Sequence, residues 1–229
     1  MKYIGEELEN FSIATFWRRY TLSKVDEFLK DKKVLEVGAG TGSFSELIIN
    51  KCESLTILEP DDNFFEFLKK KFYGYKNVKI VHGTIDNLNE KYDAIIHFQV
   101  LEHIKNDNSE ILKNLSLLKN CGHLLICVPS FMSLYSKFDK SIGHYRRYIK
   151  KDFLDFNLGN SKIKKMFYID SVGYFIYRLF KIFIDSEKPN KFMIFIWDKF
   201  FIPVSYLFDK LIFYKIGKNL IVIIKKSEI

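Results

Sequence analysis

The 229-residue chain has only three cysteines, Cys52, Cys121 and Cys127. They form neither an even set nor a metal-ligand spacing, so the sequence points to no disulfide or zinc framework and to no metal. Cys127 lies inside an apolar run and reads as a small core residue. A long apolar span is also lacking. The most apolar stretch, Met166 to Ile184, is interrupted by Asp170, Arg178 and Lys181, which argues against a helix that crosses a bilayer and leaves room for an amphipathic one. The first residues, Met1-Lys2-Tyr3-Ile4-Gly5-Glu6-Glu7, carry acids where a leader would need an apolar stretch, so a cytoplasmic location is expected. There is no repeat, linker or low-complexity tract. The formal net charge is +8, but no dense basic tract accompanies it, and lysines scattered along the whole chain read as solvated faces rather than a nucleic-acid footprint. DNA is not indicated, and RNA is disfavoured.

The length suits one sizeable core and is short for two full domains. The most informative run is Val34-Leu35-Glu36-Val37-Gly38-Ala39-Gly40-Thr41-Gly42-Ser43-Phe44. It reads as a buried strand that ends in a glycine-paved turn and opens a helix, with free N–H groups at the helix start. A dinucleotide fingerprint wants glycine at the first, third and sixth positions. Here Ser43 holds the sixth and Gly42 comes one place early. Glu36, two residues before the first glycine, would repel a pyrophosphate but suits a ligand bearing an ammonium and a sulfonium. Glu59 closes the next apolar run, about 20 residues on, where the ribose-binding acid of nucleotide folds lies. A carboxylate there can take both ribose hydroxyls through charge-assisted hydrogen bonds.

Strand and helix alternate along the chain. Strands are expected at Lys33 to Val37, up to Glu59, at Asn77 to Val81, Tyr92 to Phe98, Leu124 to Val128, Ser161 to Asp170 and Lys218 to Lys226. Helices are expected from Ser43 to Asn50, after the capping group Asp61-Asp62-Asn63, and from Ser109 to Lys119. This rhythm predicts an α/β fold with a doubly wound, mostly parallel, seven-stranded sheet. The expected division is a helical lid over 1–30, a cofactor-binding core over 31–170, an aromatic helical insertion over 171–215 and the last strand over 216–229. Ligands of such sheets sit at the carboxyl ends of the strands.

At these residues the sequence resembles the class I S-adenosylmethionine-dependent methyltransferases, whose first motif is an acid followed by G-x-G-x-G and whose second ends in an acid. Gln99-Val100-Leu101-Glu102-His103-Ile104 resembles the "VLEH" segment of a small-molecule branch, and Gly143-His144-Tyr145-Arg146-Arg147-Tyr148 resembles a narrower subgroup associated with bacterial surface-glycan and lipid-linked sugar assembly. The match is good over residues 30 to 150. The resemblance implies a Rossmann-like methyltransferase fold and S-adenosyl-L-methionine as cofactor. It implies cofactor contacts from Glu36, Gly38, Ala39, Gly40, Gly42, Glu59, Pro60, Gly83, Thr84, Ile85, Gln99, Val100 and Leu101. Thr84 stands where the family often has an acid for the adenine amino group, so Asp86 or a backbone carbonyl would have to serve.

His103 and His144 are the candidate bases for an acceptor hydroxyl. Tyr145, Arg146, Arg147 and Tyr148 are the substrate-side candidates, since adjacent arginines can hold a phosphate or carboxylate. Trp17 and Tyr20 would belong to the lid. The expected activity is O-methylation of a small polar or anionic acceptor, glycan- or lipid-linked, with the aromatic C-terminal region as a contact to the inner membrane face. The alternatives are an RNA methyltransferase and a non-catalytic, cofactor-shaped binding module. NAD-dependent redox chemistry is the weakest reading, because the third fingerprint glycine is missing.

Overall fold

The structure, a computed structural model, describes residues 10–180 and 189–228. The acids of the first seven residues, and Lys181 to Ile184 of the apolar stretch, lie outside them. Seven strands form one sheet in the order β3-β2-β1-β4-β5-β7-β6, with β1 Lys33–Val37, β2 Ser54–Glu59, β3 Val78–His82, β4 Tyr92–Phe98, β5 Leu118–Pro129, β6 Ser161–Ile169 and β7 Asn219–Lys226. The four pairings from β3 to β5 are parallel. β7 runs antiparallel to β5 and to β6, so the sheet is mostly parallel, as its βα rhythm requires.

Period-two alternation divides the core between the two sheet faces. Val34, Leu55, Ile57, Ala94, Ile96 and Phe98 pack on one face with Ile48, Leu68, Phe72 and the N-terminal residues Tyr20, Leu22 and Phe28. Leu35, Val37, Leu58, Ile95, Leu124 and Ile126 pack on the other with Ile111, Leu115, Tyr148 and Phe153. The N-terminal helix Thr15–Ser23 therefore belongs to the first face. The helices Ser171–Phe180, Lys191–Ile196 and Ile202–Leu211, the last two joined by a π-helical turn at Trp197–Phe201, come between β6 and β7.

Three elements differ from the sequence reading by two residues or more at an end. The first helix is only Ser45–Ile48, because Gly42 at φ +69° breaks the turn before it and Ser43 shares its hydroxyl with Thr41 at 2.8 Å. β5 begins at Leu118 rather than Leu124, since Leu118 already pairs with Tyr92. Cys121 at φ +60° kinks it, and a Cβ on Gly122 would lie 2.9 Å from the Lys119 carbonyl oxygen. The preceding helix accordingly runs Asp107–Leu117 instead of Ser109 to Lys119. Chain order reverses between β1 and β4, and the crevice above that reversal is where an open α/β sheet receives its ligand.

Candidate functional site

The glycine turn lies at that reversal. Gly38, Gly40 and Gly42 all have positive φ. A Cβ on Gly38 would stand 2.8 Å from Val100 Cγ2, and one on Gly42 would stand 2.7 Å from Leu68 Cδ2. Both positions therefore need glycine twice over, for the dihedral and for the space. Alternation along β1 and β2 puts Glu36 and Glu59 on the same sheet face, both buried. Glu59 Oε2 accepts the Gly40 N–H at 2.7 Å and Oε1 accepts the Asp61 N–H at 3.0 Å. Its carboxylate thus turns into the glycine bend. Ala39 packs at the edge of the core there, and Pro60 joins Glu59 to the helix cap Asp61, whose side chain accepts from Asn63 N and Phe64 N.

Glu36 accepts from Ser45 Oγ at 2.5 Å. Burial, reinforced by the neighbouring Glu59 charge and opposed by that hydrogen bond, pushes its carboxyl up to about 7. Glu59 is also raised, first by burial, against the pull of its two backbone donors. Lys71 ties a cation to the turn: it donates to the Thr41 carbonyl at 2.7 Å and pairs with Glu46 at 3.1 Å.

Along the remaining edge, Gly83 has φ +136° and Thr84 N donates to Asn87 Oδ1 at 2.8 Å. Ile85 and Leu101 are buried. Asp86 is paired with Lys113 at 2.7 Å. Gln99 has φ +56°, and its Nε2 donates to Asn219 Oδ1 at 3.2 Å and to the Cys127 carbonyl at 3.3 Å. Its side chain is therefore turned across β5 to β7, and the Val100 side chain forms the wall opposite Gly38.

The two histidines meet. The His103 and His144 rings are 4.5 Å apart in a T-shaped contact. His144 Nδ1 lies 2.9 Å from Asp139 Oδ1, and its Nε2 lies 3.8 Å from Glu102 Oε1. Asp139 also accepts from Arg147 Nε and Nη2, each at 3.0 Å, and from Ser136 N and Oγ. Burial alone would raise its carboxyl, but His144 and Arg147 hold it well below the usual range. An ionised carboxylate only accepts, so Nδ1 of His144 is the donor. Glu102 is fully buried and, among the described residues, no neighbouring side chain gives either of its oxygens a hydrogen bond; burial pushes it up to about 7. Burial, with the nearby His144, drops His103 to about 3, leaving a neutral imidazole at physiological pH.

The substrate-side expectations are largely redrawn. Arg147 is 6% exposed and fully engaged by Asp139, so it is a loop anchor rather than an anion clamp. Arg146 pairs with Asp107 and donates to the Lys105 carbonyl. Tyr148 is buried with its hydroxyl on Asp107 at 2.9 Å. Tyr145 is the exposed member of the set. Tyr20 is buried and bonds Asp209, which makes it core. Trp17 stands over the turn's helix, 5.7 Å from Phe44, which in turn lies 5.0 Å from Phe98. The sequence reading missed Asp107 and Asp209, acids whose partners come from distant segments.

The donor set fits S-adenosylmethionine: positive-φ glycines with no room for a Cβ, and two carboxylates on the face of the turn, chemistry suited to a diol and a cation and hostile to a pyrophosphate. Residues 35–124 match the family model described as a methyltransferase domain. Over 91 residues the chain is 30% identical to ribosomal RNA small subunit methyltransferase A of Borreliella burgdorferi, covering 38% of this chain and 32% of that protein. An S-adenosylmethionine-dependent methyltransferase from Clostridium acetobutylicum is similar in structure, with a TM-score of 0.59 at 14% identity over 93% of this chain and 91% of that one. So is the N-methyltransferase NodS of Bradyrhizobium japonicum in complex with S-adenosyl-L-homocysteine, with a TM-score of 0.55 at 12% identity over 92% and 83%.

The fold is similar to that of S-adenosylmethionine-dependent methyltransferases, and residues 35–124 match a methyltransferase domain. The chain spans about a third or less of the curated relatives it matches.

Proposed function

We propose that this protein binds S-adenosyl-L-methionine over Gly38 to Gly42 and transfers its methyl group to a hydroxyl of a small polar acceptor above the carboxyl ends of β4 and β5. One observation carries the reading: three positive-φ glycines at the sheet's order reversal, with Glu36 and Glu59 on the same face beside them. When bound, the cofactor supplies a methyl group on a positively charged sulfur. The chain's part is to hold acceptor and methyl in line in a dry site, where positioning does most of the work. Glu59 is the group for the ribose hydroxyls and Glu36 for the ammonium side. The His144–Asp139 pair can take up an acceptor proton at Nε2, a contribution of about 10²–10⁴-fold. Trp17, packed on Phe44, serves as the lid.

The acceptor is amphiphilic on this reading. The helices between β6 and β7 expose Phe192, Phe200, Leu207, Leu211 and Phe213, interleaved with Lys191, Lys199 and Lys210. Such a face suits the anionic surface on which a lipid-linked substrate sits. No helix among the described residues is long and apolar enough to cross a membrane.

Calorimetry with S-adenosyl-L-homocysteine tests the cofactor reading. Micromolar-range binding that is lost in Glu59→Ala supports it, and no heat from folded protein removes it. Methyl transfer from labelled cofactor into a lipid extract, with sedimentation on vesicles containing phosphatidylglycerol, tests the acceptor. An RNA acceptor is the second reading, favoured by the ribosomal RNA methyltransferase match; label entering bulk RNA instead of lipid would establish it.

A further inference from the structure

We propose that Glu102, His103 and His144 form a binding site for one first-row divalent cation, zinc or a cation of similar preference, beside the methyl-transfer crevice. One ligand atom from each of the three residues lies within 4.8 Å of the other two. The residues come from the turn after β4 and the loop after β5, so the fold brings them together. The cation-binding claim stands on this geometry alone; its bearing on the acceptor rests on the function proposed above.

Three observations point to a cation rather than a packed polar cluster. First, Glu102 is fully buried and, among the described residues, no neighbouring side chain gives either carboxylate oxygen a hydrogen bond. A buried carboxylate left that way is costly unless something positive reaches it. Second, His144 commits Nδ1–H to Asp139, which leaves Nε2 as the ring atom turned to Glu102, 3.8 Å from its Oε1, too long for a hydrogen bond between the two and wide enough for an ion to be shared by them. Third, both imidazoles have the outer partners that orient metal-bound histidines: His144 has the Asp139 carboxylate, and His103 has a backbone hydrogen bond at Ile142. Carboxylate–histidine and carbonyl–histidine pairs of this kind fix the tautomer and ring direction of such ligands.

Two imidazoles and one carboxylate are the ligands of choice for zinc, iron, cobalt or manganese, not for calcium or magnesium. Ligands about 2.0–2.1 Å from a tetrahedral zinc stand roughly 3.4 Å apart. Ligand atoms up to 4.8 Å apart would close by about 1.4 Å or less on binding. Three protein ligands leave a position open; with the cation bound, His144 Nε2 is a ligand in place of its role as base, and an acceptor oxygen held at the open position would lose its proton more readily, to solvent.

Cobalt is the probe. Chelator-stripped protein titrated with Co²⁺ is expected to bind one ion per chain, with visible absorption of four- or five-coordinate cobalt. Glu102→Gln and His144→Ala are expected to weaken binding at least tenfold, while binding of S-adenosyl-L-homocysteine, which reads the glycine turn, persists in both. Zinc-edge X-ray absorption on the unmodified protein needs no variant and should show two imidazoles and one carboxylate. The proposal is overturned if the unmodified protein takes up no stoichiometric cobalt, if both variants bind as tightly, or if the zinc spectrum lacks imidazole. Cobalt bound with no homocysteine adduct binding would sink the methyltransferase reading and leave this site standing.

Discussion

Tyr20 donates its hydroxyl hydrogen to Asp209 Oδ2 at 2.6 Å, joining the N-terminal helix to the last helix of the insertion. Asp209 also accepts the N–H groups of Asp170 at 2.7 Å and Ser171 at 2.9 Å. One buried carboxylate thus gathers the N-terminal helix, the end of β6 and the insertion. Asp198 repeats the device by accepting the N–H groups of Phe16 and Trp17.

Removing Asp209 strands three buried donors. Asp209→Ala should cost about 3–5 kcal/mol, the range for breaking a buried charged network by taking away one partner. Tyr20→Phe removes one hydrogen bond to a charged acceptor and should cost about 1.5–3 kcal/mol. For a chain of this size each kcal/mol moves Tm by roughly 2–4 °C. Thermal unfolding of both variants checks the ordering, and equal losses would show that Asp209 acts only through Tyr20.

This network also marks where sequence reading stops. The strands were legible because apolar runs and alternation belong to single segments: Tyr92–Phe98 came out as expected, and β1 likewise. The glycine turn was legible for the same reason, since Glu36, Gly38, Gly40 and Gly42 are neighbours in the chain. The role of a charged side chain was not. Arg146 and Arg147 look alike in sequence, yet one meets Asp107 near the surface and the other is buried on Asp139. Which acid reaches which arginine is decided by loops that only the folded sheet edge brings together, and the meeting of Glu102 with His144 was hidden in the same way.

The two arginines should therefore separate in experiment. Arg147→Ala leaves Asp139 buried with an uncompensated charge and should destabilise by about 3–5 kcal/mol. Arg147→Lys loses the bidentate geometry and should recover only part of it. Arg146, one-third exposed, pairs with the buried Asp107, which keeps the Tyr148 hydroxyl as a partner, so its alanine variant should lose about 1.5–3 kcal/mol, less than Arg147→Ala. Chemical denaturation of the three variants is the check. A larger loss at Arg146 than at Arg147 would contradict the anchor role assigned to Arg147.

Gly38→Ala meets two obstacles of different kinds. A residue with a Cβ at φ +68° pays about 1–2 kcal/mol for the dihedral, and the contact with Val100 at 2.8 Å adds about 1–3 kcal/mol of overpacking. Val100→Ala in the same chain should relieve the second and leave the first. The double variant is thus expected to be more stable than Gly38→Ala, yet still to bind S-adenosyl-L-homocysteine at least tenfold more weakly than the unmodified protein. Full recovery of binding in the double variant would mean that the turn's backbone conformation is not what the cofactor requires.

Glu36 gives the pH dependence a sign. Its carboxyl titrates at about 7 in the fold against an ordinary value of 4.5, so between those values the native state holds a proton that the unfolded chain has lost. Stability from this group is complete below about pH 4.5 and falls as pH rises through about 7, by on the order of 3 kcal/mol at most. Glu102, raised for the same reason, adds a slope of the same sign, so Glu36→Gln should flatten the decline between pH 5 and 8 without abolishing it. A cationic ligand reverses the preference, because an ammonium beside Glu36 favours the carboxylate. Binding of S-adenosyl-L-homocysteine near pH 6.5 should therefore release protons, measured as a buffer-dependent enthalpy in calorimetry, and the release should be smaller by Glu36's share in Glu36→Gln. Identical release in both proteins would place the ammonium away from Glu36.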